Sequence, residues 1–239
     1  IDPHGIHKYH NAGHTRMAWL IRTDENVQKV FKDVWNTDEL IVSFDGFCYI
    51  NKECAKKDNI WTHTDQAPND KELKCYQGFV ALTENKERTL VVYDKSHLLH
   101  KKYFEDRKIE SNKNWQLIEH NYLKEIQDSK RILEVPSGSL VLWDSRTFHQ
   151  NQYGKSNSEE RIVQYVCFLP KNVPKNTKAM QKKRRKYLDE KRTTSHWPDS
   201  IKVNSKQPRT YGKDELLIDY NNLPEESLDE YMDDILKII

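Results

Sequence analysis

The chain has 239 residues, 36% of them hydrophobic and 32% charged, with a net charge of only +2. That length suffices to bury a core without covalent or metal staples, and the near-balance of charge excludes a globally basic nucleic-acid binder, which would need a local patch instead. No run of 18 apolar residues occurs, which excludes a helical membrane span. The cysteines Cys48, Cys54, Cys75 and Cys167 lack CxxC spacing, so reduced thiols and a cytoplasmic setting are expected. No signal peptide is visible, but the chain begins at Ile1 without Met, which leaves a removed leader open.

In chain order, residues 24–36 place Val27, Val30, Phe31 and Val34 at helical spacing behind Asp24, a suitable N-cap. Residues 40–50 are β-branched and aromatic and read as a strand broken at Gly46. Strands are expected at 60–65, 74–83 and 88–94, the last reached through the polar turn 84–87. Residues 98–127 read as mostly helical and amphipathic. Strand signals return at 131–135, 139–144 and 161–169, with Pro136-Ser137-Gly138 as a turn. Many strands at roughly ten-residue spacing predict a sandwich or jelly roll.

Beyond Pro170 the composition changes. Residues 171–192 are dominated by Lys and Arg, and the run Lys182-Lys183-Arg184-Arg185-Lys186 reads as a solvated helix face. Its other uses would be contact with the acidic tail or with an anionic substrate. Residues 193–212 are irregular, and 214–239 are acidic with apolar residues at helical spacing. The resulting expectation is a single domain over 1–239. It has an N-terminal helical segment at 1–36, a jelly-roll core at 37–170 and a basic, then acidic, largely helical extension at 171–239.

The chemistry is carried by His63-Thr64-Asp65 and the distant His149. In an extended strand, residues i and i+2 point to one face, so His63 and Asp65 project together. A histidine from another strand completes a facial set of two imidazoles and one carboxylate, the arrangement used by non-haem Fe(II) oxygenases. HxD alone has a plainer reading, a strand histidine followed by a turn aspartate. The order makes the set specific: HxD, a long gap, histidine, then Arg161 twelve residues on. The planar fork of Arg161 suits the far carboxylate of 2-oxoglutarate, although a surface ion pair with Glu159 or Glu160 is its plainer role. By alternation Gln77 shares a face with Cys75, Phe79 and Ala81, either towards a cofactor or hydrogen-bonded to a neighbouring loop. Asn151 shares the face of His149, and Arg146 is placed to line an entrance. Trp61, Trp143 and Tyr165 read as core aromatics. His97 reads as a turn tie, and His4, His7, His10 and His14 as part of a mobile or lid segment.

The stretches ELIVSFDGFCYI, WTHTDQAP, YQGFVALTE, TLVVYDKSH, VPSGSLVLWDSRTFHQN and ERIVQYVCFLP, spanning about residues 39–170, resemble the phytanoyl-CoA dioxygenase family of Fe(II)/2-oxoglutarate oxygenases. TTSHWP at 193–198 and the opening GIHKYHNAGH share this likeness. The resemblance implies a mainly β fold with flanking helices and a double-stranded β-helix (jelly-roll, cupin-like) core. It implies His63, Asp65 and His149 as iron ligands and Arg161 as the 2-oxoglutarate ligand; Gln77 and Asn151 are further cofactor-binding candidates from alternation alone. The implied cofactors are Fe(II) and the co-substrate 2-oxoglutarate, and the reaction is hydroxylation with release of succinate and CO2. The expected partner is a small molecule, with a protein side chain as the alternative and nucleic acid disfavoured. One departure is visible: Asn85-Lys86-Glu87-Arg88 stands where the family often has a Gly-Gly turn. The rival class is a jelly-roll protein that binds a ligand or partner without turnover.

Overall fold

A computed structural model describes residues 4–224 and 226–239. In chain order its elements are β1 (Ile6–His7), α1 (Arg16–Thr23), α2 (Glu25–Trp35), β2 (Leu40–Val42), β3 (Phe47–Ile50), β4 (His63–Thr64), β5 (Tyr76–Ala81) and β6 (Leu90–Tyr93). There follow α3 (Ser96–Asp106), β7 (Gln116–Leu117), α4 (His120–Glu125), β8 (Lys130–Ile132), β9 (Leu140–Asp144), β10 (His149–Asn151), β11 (Arg161–Val166), β12 (Phe168–Pro170), α5 (Lys178–Asp189) and α6 (Met232–Lys237). The strands fall into two five-stranded sheets, ordered β1-β3-β11-β5-β9 and β7-β4-β10-β6-β8, and one small pair, β12-β2. Along the chain β3, β5, β9 and β11 belong to the first sheet and β4, β6, β8 and β10 to the second. This alternating connectivity makes the fold a double-stranded β-helix, mainly β with flanking helices, as expected. No helix among the described residues is long and apolar enough to cross a membrane.

Contacts divide the chain into two compact units. The first holds Ile1–Tyr49, Gly78–Val80 and Ile162–Ile239. Its α2 starts where Asp24 Oδ1 accepts the N–H groups of Asn26 and Val27, and ends at Asn36 in the left-handed region (φ 50°). Of the expected apolar stripe only Phe31 is fully buried; Val30 and Val34 are exposed. The His-rich start packs closely against the following strand region. A Cβ on Gly46 would lie 1.7 Å from the carbonyl oxygen of His7, and one on Gly13 2.2 Å from that of Phe44, so both close approaches require glycine. The TTSHWP segment clamps this start: Thr193 Oγ1 accepts Gly13 N–H at 2.8 Å and donates to His10 O at 2.8 Å, and Thr194 Oγ1 accepts Phe44 N–H at 3.0 Å.

The basic run forms part of α5, but it is not wholly solvated. Arg184 is fully buried and donates to Pro198 O (2.8 Å) and Asn176 Oδ1 (2.7 Å). The extension is also less helical than its spacing predicts, because only α5 and the six-residue α6 are α-helical and short 3-10 turns punctuate the rest. Between them, both ends of the Gln207 side-chain amide bind the backbone of Ile218.

The second unit holds Ile50–Gln77 and Ala81–Arg161. It contains the whole β7-β4-β10-β6-β8 sheet. The ends of β5 pair here with β9, through Ala81 N–H to Ser139 O (2.9 Å) and Ser145 N–H to Cys75 O (3.0 Å). A core of Tyr93, Tyr103, Phe104, Ile118, Leu123 and Phe148 packs α3 and α4 against this unit's sheet. The expected helix over 98–127 is interrupted. After α3 the chain turns at Lys108 (φ 53°), and local bonds replace helix: Ser111 Oγ accepts Lys113 N–H (3.1 Å) and Gln116 Nε2–H donates to Lys113 O (2.9 Å). The chain then forms β7 before α4 begins.

Candidate metal centre

Strand β4 is short because its neighbours bond elsewhere. Trp61 N–H donates to Gln150 Oε1 (3.1 Å), and Asp65 N–H donates to Ser145 O (3.2 Å). In the β4–β10 ladder His149 stands directly opposite His63, so both side chains emerge on one face. Their ring centroids are 4.4 Å apart, and each histidine is 5% exposed. His63 Nδ1 lies 3.1 Å from Trp61 O and His149 Nδ1 2.9 Å from Thr147 O. A carbonyl only accepts, so each Nδ1 carries the proton and each Nε2 keeps its lone pair for a metal.

Both Nε2 atoms face one carboxylate oxygen, Asp65 Oδ2, at 3.5 Å from His63 and 3.3 Å from His149. The three donor atoms lie within 4.8 Å of one another, and no other group of three potential metal-binding side chains is found among the described residues. Donors about 2.1 Å from a common ion in neighbouring octahedral positions are themselves about 3 Å apart, so the set fits one small divalent cation. Burial pushes the His63 pKa below its usual value, a shift that Asp65 opposes and His149 reinforces. A neutral imidazole is the form a metal requires.

Around the three donors stands a layer that fixes them. Gln77 donates its amide Nε2–H to Asp65 Oδ2 (3.0 Å), while its Oε1 accepts Trp143 Nε1–H (3.1 Å). An indole nitrogen only donates, which sets the amide orientation and aims N–H at the carboxylate. Gln77 therefore reaches the predicted centre through Asp65. Gln66, next in sequence, donates to Asp70 O (2.5 Å) and Glu72 O (2.7 Å) and accepts from Ser145 Oγ (2.8 Å) and Lys74 N (3.2 Å). Every hydrogen-bonding position of that buried amide is used in anchoring the loop after Asp65. On the other face of β10, Gln150 Oε1 takes Trp61 N–H and Thr62 Oγ–H (2.7 Å), and its Nε2 donates to Asn59 O (3.2 Å), which fixes the segment leading into His63.

Arg161 opens β11, fully buried, with its Nε donating to Asn85 Oδ1 at 2.7 Å. Asn85 lies in the turn before β6 and pairs in both directions with Val135 (2.9 and 2.8 Å). Glu159 Oε1 is committed to that loop, accepting the N–H groups of Lys86, Glu87 and Arg88 at 2.7–2.9 Å. Asn151 gives its backbone carbonyl to Trp61 Nε1–H (3.0 Å). Arg146 forms a fork with Asp144 (Nε–Oδ1 3.0 Å, Nη2–Oδ2 2.6 Å) and donates to Lys71 O.

Indoles flank the histidines. Trp61 stacks on His63 at 4.8 Å, Trp143 lies 5.4 Å from His149, and Trp115 lies 5.4 Å from His63. Sequence reasoning missed Trp115, Gln66 and Gln150. Trp115 falls within a segment with helical spacing, and the two glutamines carry no motif; only the alternation around β10 marks Gln150 as facing away from His149.

No family model matches the chain. Its sequence is 30% identical over 193 residues to Ava biosynthesis cluster protein O of Aspergillus versicolor, covering 74% of this chain and 61% of that protein. The chain thus spans about three fifths of that relative's length. Its fold is similar to the crystal structure of GlcNAc Inducible Gene 2 product, GIG2, from Candida albicans, with a TM-score of 0.53, 13% identity and coverage of 71% of this chain and 54% of that one. It also matches HygX from Streptomyces hygroscopicus, solved with nickel, 2-oxoglutarate and hygromycin B, at a TM-score of 0.47 and 12% identity over 72% of this chain and 74% of that one.

Proposed function

We propose that this chain is a phytanoyl-CoA dioxygenase-like enzyme, an Fe(II)- and 2-oxoglutarate-dependent hydroxylase acting on a small molecule. The observation that carries this reading is the convergence of His63 Nε2, His149 Nε2 and Asp65 Oδ2 on one point, with both imidazoles held in the metal-binding tautomer. His63, Asp65 and His149 would hold the iron on one face and leave the opposite face to exchangeable ligands. When bound, iron and 2-oxoglutarate supply the activation of O2, with one oxygen atom going to succinate and the other to the substrate.

The chain's residues do the rest. Arg161 carries a permanent charge in a fully buried position and suits the far carboxylate of 2-oxoglutarate; Asn85 orients its guanidinium from the Nε side. Gln77 holds Asp65 in place and Trp143 holds Gln77. The indoles of Trp61 and Trp143 cover the two histidines and exclude water from their sides. Asn151, on the face of His149, is read as a polar contact for the co-substrate. Because Asp65 supplies a carboxylate to the set, oxygen transfer and not halide transfer is the outcome we assign.

The test is iron-dependent conversion of 2-oxoglutarate to succinate by the purified chain, followed by turnover of an identified substrate under ¹⁸O2. One ¹⁸O atom in the product supports the reading. Absence of succinate from iron-loaded, folded protein supplied with that substrate refutes it, and a chlorinated product in excess chloride refutes the role given to Asp65.

A further inference from the structure

Two exposed apolar side chains of the second unit stand beside the candidate metal centre. Trp115 is 41% exposed and Leu117 is 53% exposed, and both lie at β7, the edge strand of its sheet. Leu117 stands directly opposite His63 in the β4–β7 ladder. Paired residues share a face, and residues two apart on a strand share a face, so Leu117 and Trp115 both stand on the His63 side. The Trp115 ring confirms this, lying 5.4 Å from the His63 ring. Trp61, partly exposed, stacks on that same imidazole. An apolar lip of indole and leucine therefore sits open beside one metal-binding histidine, whereas the other groups around the histidines are hydrogen-bonded and largely buried.

We propose that Trp115, with Leu117 beside it, is a specificity-determining residue that stacks on a flat aromatic ring of the substrate. The inference rests on the oxygenase reading above, since any molecule oxidised there must come to rest next to His63. The chemistry favours an aromatic ring over an aliphatic chain because the indole offers a planar π-face, and ring pairs gain from offset or edge-to-face contact beyond the area they cover. Trp61 is tied to Asn151 O through its indole N–H and serves as the fixed wall; Trp115 is the wall that the substrate covers.

The experiment uses two probes of matched size, 2-naphthylmethanol and its saturated counterpart decahydro-2-naphthylmethanol. Binding is measured by saturation-transfer NMR on the full chain, both metal-free and loaded with redox-inert Ni(II) and 2-oxoglutarate. The aromatic probe should bind roughly 3- to 10-fold more tightly than the saturated one. Trp115→Ala should abolish that preference, and Trp115→Phe should retain most of it. Because the side chain is exposed, both variants should keep the wild-type circular dichroism and Ni(II) affinity. Equal binding of the two probes by wild type, or a preference unaltered in Trp115→Ala, overturns the inference. Failure of the wild-type chain to bind Ni(II) instead overturns the metal-centre reading, so the two failures are distinguishable.

Discussion

Gln77→Leu separates two roles that the sequence leaves open for this residue. In the structure its amide N–H points at Asp65 Oδ2, 3.0 Å away, and its carbonyl takes Trp143 N–H. Leucine preserves volume and removes both bonds. A hydrogen bond to a charged group contributes about 1.5–3 kcal/mol, or roughly 10- to 150-fold in an equilibrium constant, and outer partners of metal ligands commonly alter metal affinity 10- to 100-fold. The expected result is therefore a loss of about 10- to 100-fold in Mn(II) or Fe(II) affinity. Chelator competition reads it, with 2-oxoglutarate affinity for the metal-saturated variant changed far less. Burial of Trp143 N–H without this acceptor should also lower the melting temperature, which a thermal scan checks separately. Undiminished metal affinity together with a large loss of 2-oxoglutarate affinity would refute the reasoning, since it would place the amide against the co-substrate.

Arg161→Ala should raise the 2-oxoglutarate requirement about 10- to 100-fold while metal affinity stays near wild type, as measured by succinate formation and chelator competition. Deleting 214–239 should destabilise the chain while leaving metal affinity intact, because Leu228, Ile235 and Ile238 are buried and Ile238 O accepts Val42 N–H at 2.9 Å; each such side chain contributes about 1.5–3 kcal/mol as an upper figure, and a denaturant midpoint reads the sum. His14 gives a pH dependence. Burial, and then the nearby Arg22 charge, lower its pKa from 6.5 to about 3. As the pH falls through 6.5 the unfolded chain takes up a proton that the folded chain refuses until about 3. Stability from the neutral ring is thus complete above that window and drains away within it, by at most tenfold in the folding equilibrium per pH unit. His14→Gln should show a shallower loss than wild type between about pH 6.5 and 5 in urea titrations, where most carboxylates stay ionised.

Much of the fold is legible in the sequence because its signals are local. Asp24 caps a helix, Gly46 breaks a strand, and the apolar, β-branched stretches at 76–81, 90–93, 140–144 and 161–166 are strands. The triad is legible for a similar reason, since a period of two places His63 and Asp65 together whatever the details of the sheet. What the sequence leaves unread depends on pairing between distant segments. Residues 98–127 have helical spacing throughout, yet β7 forms there because β4 offers an edge, and that pairing brings Trp115 beside His63. Arg184 reads as one charge in a solvated run, yet two acceptors supplied by other parts of the chain allow it to be buried. Gln66, Gln77 and Gln150 illustrate the limit most directly: an amide carries no motif, and its role follows from which donors and acceptors the fold brings to it.

The central claim is that His63, Asp65 and His149 together hold one catalytic ferrous ion. The most direct measurement is anaerobic titration of the metal-free chain with Fe(II) in the presence of 2-oxoglutarate, following the visible charge-transfer band of the ternary complex, for wild type and His149→Ala. The account predicts saturation at one Fe(II) per chain in the wild type and no band in a folded His149→Ala variant. A wild-type chain that develops no band, or a His149→Ala variant that titrates like the wild type, would contradict it.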